Sequence, residues 1–219
     1  MLQQDLYRAE NDYTHGQKLH NIVIGRDKEL EAIKIQFDTV LQGHSAWTVI
    51  AGDTGIGKTS LIKTALADLS RLNATCSYAK CEQCRSDEPY TAIIQIISNI
   101  TGHMLTLPRE KLNRIGKKLK TQLGKDGALL TEIVPKLEKV IGRQSKTKVS
   151  DYKKLKIRLE AAFQLFITVA AKELYSLIIA VDDLQWADKP SWDIIRSSND
   201  PLRDCDMYII LAYRNSLKE

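Results

Sequence analysis

The stretch Gly52-Asp53-Thr54-Gly55-Ile56-Gly57-Lys58-Thr59 constrains this chain more than any other, because it satisfies the spacing G-x-x-x-x-G-K-[S/T] in full. Glycines at these positions permit backbone conformations closed to other residues, so that successive N–H groups turn inward and make a nest for an anion. The flanks agree. "SAWTVIAG" (45–52) is a short apolar, β-branched run ending in glycine, which suits a buried parallel strand. "TSLIKTALADLS" then sets Leu61, Ile62, Ala65 and Leu69 on one helical face. The order strand, loop, helix brings the positive end of a helix dipole to the nest. A polyphosphate fits there, with the Lys58 ammonium reaching the β and γ phosphates and the Thr59 hydroxyl offered to Mg²⁺.

The remaining pattern supplies a sheet and its helices. Residues 1–20 are polar and patternless, and read as an N-terminal arm or linker. Leu30, Ile33, Phe37, Val40 and Leu41 then recur at helical spacing, with Gly43 as a stop. "ATCSYAK" (74–80) reads as a second strand. Four helical segments follow at about 91–104, 109–123, 126–141 with a break at Pro135, and 150–172. In the last, Tyr152, Leu155, Leu159, Ala162, Phe163, Phe166, Ile167 and Ala170 form one stripe, a core face. "SLIIAVDD" (176–183) and "MYIILAYR" (207–214) are continuous apolar runs with polar ends, as expected of interior strands of a parallel sheet.

Those polar ends supply the candidate partners of the glycine loop. Asp182 closes the run "LIIAV", the place where a carboxylate holds Mg²⁺ through its water shell. Asp183 is then placed to orient or deprotonate an attacking water, the alternative being a structural acid. Arg214 ends its strand on the same edge, where a cation would contact the γ-phosphate; the alternative is a surface arginine.

Composition excludes several classes. With 219 residues and 43% hydrophobic content the chain can bury a core. No stretch approaches the roughly 20 apolar residues of a membrane span. The start, "MLQQDLYRAENDYTHGQ", lacks the basic-then-apolar pattern of a secretory signal. The four cysteines do not resemble a disulfide framework, so we place the chain in the cytoplasm. Cys81 and Cys84 have the spacing of half a zinc site, but no recognised spacing completes it. The net charge of +5 comes with basic residues gathered at 109–125 and 143–158, interleaved with acids, which reads as solvated helix faces and not as a nucleic-acid surface.

In this order, "VIGRDKELEAI", "GDTGIGKTSLI", "LIIAVDDLQWAD" and "IILAYR" resemble the AAA-type ATPase module of the STAND class, an origin-recognition-like ATPase domain. The resemblance covers about residues 20–217 and is strongest to the ATPase segment of multidomain bacterial proteins that join a serine/threonine kinase to a histidine kinase, where "EPYTAIIQ" and "EIVPKLEKVIG" also match. It implies an α/β P-loop NTPase of the ASCE/AAA type over 21–219, with a parallel sheet in strand order 5-1-4-3-2 and a helical insert at about 85–172 between the second and third strands. The ligand it implies is ATP with Mg²⁺, bound by Gly52, Asp53, Thr54, Gly55, Ile56, Gly57, Lys58, Thr59 and Ser60. Ile24, Gly25, Arg26 and Glu29 would pack near the adenine base. Trp186 would pack and Asp188 would cap the helix containing Pro190 and Trp192.

The sequence ends about five residues after Arg214, so the fifth strand and lid of such modules are expected to be missing, leaving the phosphate-loop strand at a sheet edge. Asp183 stands where many related ATPases have glutamate, so slow turnover is expected. The function read from the sequence is thus an ATP-binding, slowly hydrolysing signalling switch, with Lys58, Asp183 and Arg214 as catalytic residues and Thr59 and Asp182 as metal ligands. Its partners would be ATP or ADP, other domains of a larger signalling chain or separate proteins, and copies of itself in a nucleotide-dependent oligomer. The alternatives are a non-hydrolysing scaffold acting through the insert, or a DNA-linked ATPase. No N-K-x-D stretch for guanine occurs, so GTP is the less expected ligand.

Overall fold

A computed structural model describes residues 25–145, 152–197 and 206–215. The arm expected over 1–20, and Ile24, lie outside the described residues.

The described elements run α1 (Asp27–Leu41), β1 (Ala46–Gly52), α2 (Lys58–Arg71), β2 (Thr75–Lys80), α3 (Thr91–Thr106), α4 (Arg109–Leu123), α5 (Gly127–Ile133), α6 (Glu138–Ile141), α7 (Tyr152–Glu173), β3 (Leu177–Asp182), α8 (Lys189–Ser197) and β4 (Met207–Arg214). Short 3-10 turns at Pro135–Leu137 and Leu184–Trp186 interrupt them. The first falls at the break expected at Pro135, where the ring removes a helical donor.

The four strands are all parallel, in the order β1-β4-β3-β2. This is the expected 1-4-3-2 core of the sheet. All six residues of β3 are buried, because helices cover both faces of a parallel sheet and alternation loses its meaning there. Leu177, Ile179 and Val181, with Met207, Ile209 and Leu211 of β4, face α3, α7 and α8. Ile178 and Ala180, with Tyr208, Ile210 and Ala212, face α1 and α2. The result is three layers. Each Leu, Ile or Val so buried contributes about 1.5–3 kcal/mol.

Two readings need correction. The apolar, β-branched run of β1 reads as a buried strand, yet among the described residues it pairs only with β4 and Val49 is 57% exposed, which agrees instead with the sheet-edge position expected from the resemblance. Leu41, assigned to the apolar face of α1, is likewise exposed.

Helices α3 to α7 lie between β2 and β3 in sequence and carry most of the larger apolar cluster. Their packing is close at one point. A Cβ added at Gly116 of α4 would lie 2.2 Å from the Val140 carbonyl oxygen, so glycine there lets α4 meet the backbone of α6. The basic residues of α4 are mostly exposed, and Arg114 and Lys118 pair with Glu173 at 3.1 and 2.5 Å. Among the described residues no helix is long and apolar enough to cross a membrane.

Candidate functional site

The four described strands run in one direction, so their C-terminal ends meet along a single rim, and the glycine loop, Thr59, Asp182, Asp183 and Arg214 gather there. β1 ends in the glycine loop. Gly55 and Gly57 have φ of 82° and 90°, the left-handed region that lets the chain double back before α2. Gly57 is the N-cap of α2 and no side chain caps that helix. Among the described residues the backbone amides of 54–57 enter no turn or loop hydrogen bond, so they remain available to an anion. Lys58 is 8% exposed, and its ammonium folds back to donate to the carbonyls of Gly52 and Asp53, both at 2.8 Å. The buried charge is thereby satisfied by the loop's own backbone.

Thr59, in the first turn of α2, donates its hydroxyl to Asp182 Oδ2 at 2.7 Å. Asp182 is fully buried at the end of β3. The same oxygen accepts from the Tyr78 hydroxyl at 2.9 Å, and Oδ1 accepts from the Asp183 amide at 2.9 Å. Tyr78 was not anticipated, since its place depends on the register that sets β2 beside β3, with Tyr78 opposite Ala180.

Asp183 leaves the strand in the left-handed region, φ 54° and ψ 41°. Aspartate tolerates this conformation better than most residues. Its carboxylate lies 3.6 Å from Arg214 Nε and 3.7 Å from Lys80 Nζ, and accepts a hydrogen bond from Gln185 Nε2 at 3.0 Å. Gln185 Oε1 in turn accepts from the Arg214 backbone amide at 3.1 Å. Beyond Arg214, the Asn215 amide donates to the Gly52 carbonyl at 3.3 Å, which ties the end of β4 to the start of the glycine loop. Lys80 and Gln185 were both missed from sequence. A lysine closing a strand and a glutamine in a turn carry no pattern of their own.

Arg26 also reaches the loop. Its guanidinium pairs with Glu29 at 2.6 Å and donates to the Ile56 carbonyl at 2.8 Å. Arg26 therefore stands against the loop from the start of α1, and Gly25 precedes it with φ of 78°.

Asp188 does more than the single cap expected. Its carboxylate accepts from the Ser191 amide and hydroxyl at 2.8 and 2.7 Å, which caps α8. It also accepts from the Tyr90 amide, the Thr91 amide and the Thr91 hydroxyl at 2.8, 3.0 and 2.9 Å, which caps α3. Trp186 packs on the larger core cluster, as expected. Cys81 is buried nearby; burial pushes its thiol up to about 12, and the Asp188, Asp183 and Asp182 carboxylates add to this, so it is no nucleophile at neutral pH. Cys84 is exposed.

Comparison with known proteins agrees with this arrangement. Residues 22–202 match the AAA ATPase domain family. The chain is also 30% identical over 178 residues to hybrid signal transduction histidine kinase G of Dictyostelium discoideum, a match covering 81% of this chain and 5% of that protein. A match across most of the chain, together with a glycine loop set against two acidic residues at the rim of a parallel sheet, shows that it belongs to the AAA ATPase domain family.

Proposed function

We propose that this domain binds ATP with Mg²⁺ at the glycine loop, hydrolyses it slowly, and acts as a STAND-type switch within a larger signalling chain. The observation that carries the reading is the 2.7 Å contact between Thr59 and Asp182, residues 123 positions apart. A hydroxyl and a carboxylate side by side are the oxygen donors a hard divalent cation takes. Mg²⁺ held by these two would neutralise phosphate charge. Uncapped amides at 54–57 and the Lys58 ammonium suit the β and γ phosphates, provided Lys58 exchanges the two carbonyls for phosphate oxygens. Asp183 would orient the attacking water and Arg214 would contact the γ position. Gly25 and Arg26 would flank the nucleotide from the side of α1. The signalling role rests on the name of the Dictyostelium relative, of which this chain matches a small part.

Replacing Lys58 with Ala tests the binding reading. Isothermal titration with ATP and Mg²⁺ should show affinity lowered about a hundredfold, equivalent to about 2.7 kcal/mol. An unchanged dissociation constant rejects the assignment.

One observation favours a second reading, a scaffold that binds nucleotide without hydrolysing it. The Asp183 carboxylate faces two cations and an amide donor, all of which compete with a water for its oxygens. Single-turnover hydrolysis compared between the wild type and Asp183→Asn separates the two. Equal, negligible rates mean scaffold; a clear loss in the variant means hydrolysis through Asp183.

A further inference from the structure

The turn Leu184–Trp186 brings Gln185 back over the residue that starts it, because the Trp186 amide donates to the Asp183 carbonyl at 2.9 Å. The side chain then lies between two groups of opposite demand. The Arg214 backbone N–H can only donate, and an ionised Asp183 carboxylate can only accept. A primary amide meets both from one carbon, with Oε1 toward Arg214 at 3.1 Å and Nε2 toward Asp183 at 3.0 Å. Its orientation is forced by these neighbours. Glutamate would offer two acceptors and lysine only donors, while asparagine has the same groups on a shorter arm.

Distances decide which neighbour aims the carboxylate. Arg214 Nε and Lys80 Nζ stand 3.6 and 3.7 Å away, outside hydrogen-bond length, so their attraction is ionic and weakly directional. Gln185 supplies the one side-chain hydrogen bond to Asp183 among the described residues. We infer that Gln185 is a positioning residue of the site: its amide fixes the rotation of the Asp183 carboxylate and references it to the end of β4, which is itself bonded to the glycine loop through Asn215 and Gly52. The inference rests on the reading of Asp183 as the group that orients water. It adds that the aim of Asp183 is set by a neutral amide and not by the two cations beside it.

Two variants and one spectrum test it. Gln185→Leu removes donor and acceptor at similar size, whereas Gln185→Glu keeps the acceptor for Arg214 and sets a second anion against Asp183. ATP affinity by calorimetry should stay within about threefold of wild type, while single-turnover hydrolysis should fall about tenfold or more in both. Rates within about twofold of wild type overturn the inference. The spectrum does not depend on turnover. In ¹⁵N-edited NMR of the nucleotide-free protein, the Gln185 side-chain amide should shift when Asp183 is replaced by Ala. An unmoved signal overturns the inference even if Gln185→Leu fails to fold. A wild type that binds ATP without hydrolysing it rejects the ATPase reading alone, and leaves the orientation of Asp183 to be judged by the amide signal.

Discussion

Removing the Asp188 carboxylate should destabilise this domain more than most single changes. The side chain is 2% exposed and accepts five hydrogen bonds, three of them from the backbone amides of Tyr90, Thr91 and Ser191. Losing a helix cap costs about 1 kcal/mol, with a range of about 0.5–2. Here two caps are lost at once, and buried donors left without a partner cost about 1–3 kcal/mol each before relaxation. Since the five bonds share one carboxylate they do not add, and Asp188→Ala is expected to cost about 3–5 kcal/mol. At about 2–4 °C per kcal/mol for a chain this long, Tm should fall by roughly 6–20 °C. Asp188→Asn should cost about half as much, because its oxygen can keep two of the backbone donors while its NH₂ opposes the third. Urea unfolding followed by circular dichroism, with wild type and both variants side by side, measures this. A loss under about 1 kcal/mol for Asp188→Ala would show that the two caps do not carry the load assigned to them.

Two further outcomes follow from the insert. Gly116→Ala in α4 would ordinarily gain about 1 kcal/mol of helix propensity; here the new methyl meets a rigid carbonyl oxygen at 2.2 Å, so a loss of about 1–3 kcal/mol is expected in the same unfolding assay. Glu173 should make stability depend on pH. Burial pushes its carboxyl up, but the Lys118 ammonium and Arg114 guanidinium outweigh it and hold the carboxyl below its ordinary 4.5. A lowered folded value stabilises above the unfolded one, and that contribution disappears as pH falls through the folded value. Glu173→Gln should therefore cost roughly 1 kcal/mol at neutral pH and progressively less in unfolding measured below about pH 4.

What could be read from sequence is what local pattern encodes. The glycine loop, the helical stripe of α7 from Leu155 onward and the apolar runs of β3 and β4 announce themselves within a few residues, and each stands where it was expected; the Tyr152 side chain lies outside the described residues. Asp182 was found for the same reason, as the polar end of an apolar run. That β1 has β4 as its one neighbour among the described strands followed only from the resemblance, since its composition alone reads as buried. Tyr78, Lys80 and Gln185 were not legible, because each meets the acidic pair only through strand register or a left-handed turn. Asp188 was half legible. Its cap on α8 lies three residues away, whereas its cap on α3 joins positions 97 and 98 apart, a distance no local pattern spans.

Synthesis of the chain meets a delay built into the strand order. β1 carries the phosphate loop, yet its ladder partner is β4, the last of the described strands, with Ala46 opposite Tyr208, about 160 residues later. At ribosomal speeds of about 5–20 residues per second, the loop waits roughly 8–32 s before β4 emerges. A nascent chain stalled before Met207 should thus hold a finished glycine motif without the strand that flanks it, and on the reading proposed above nucleotide capture should begin only after β4 has emerged.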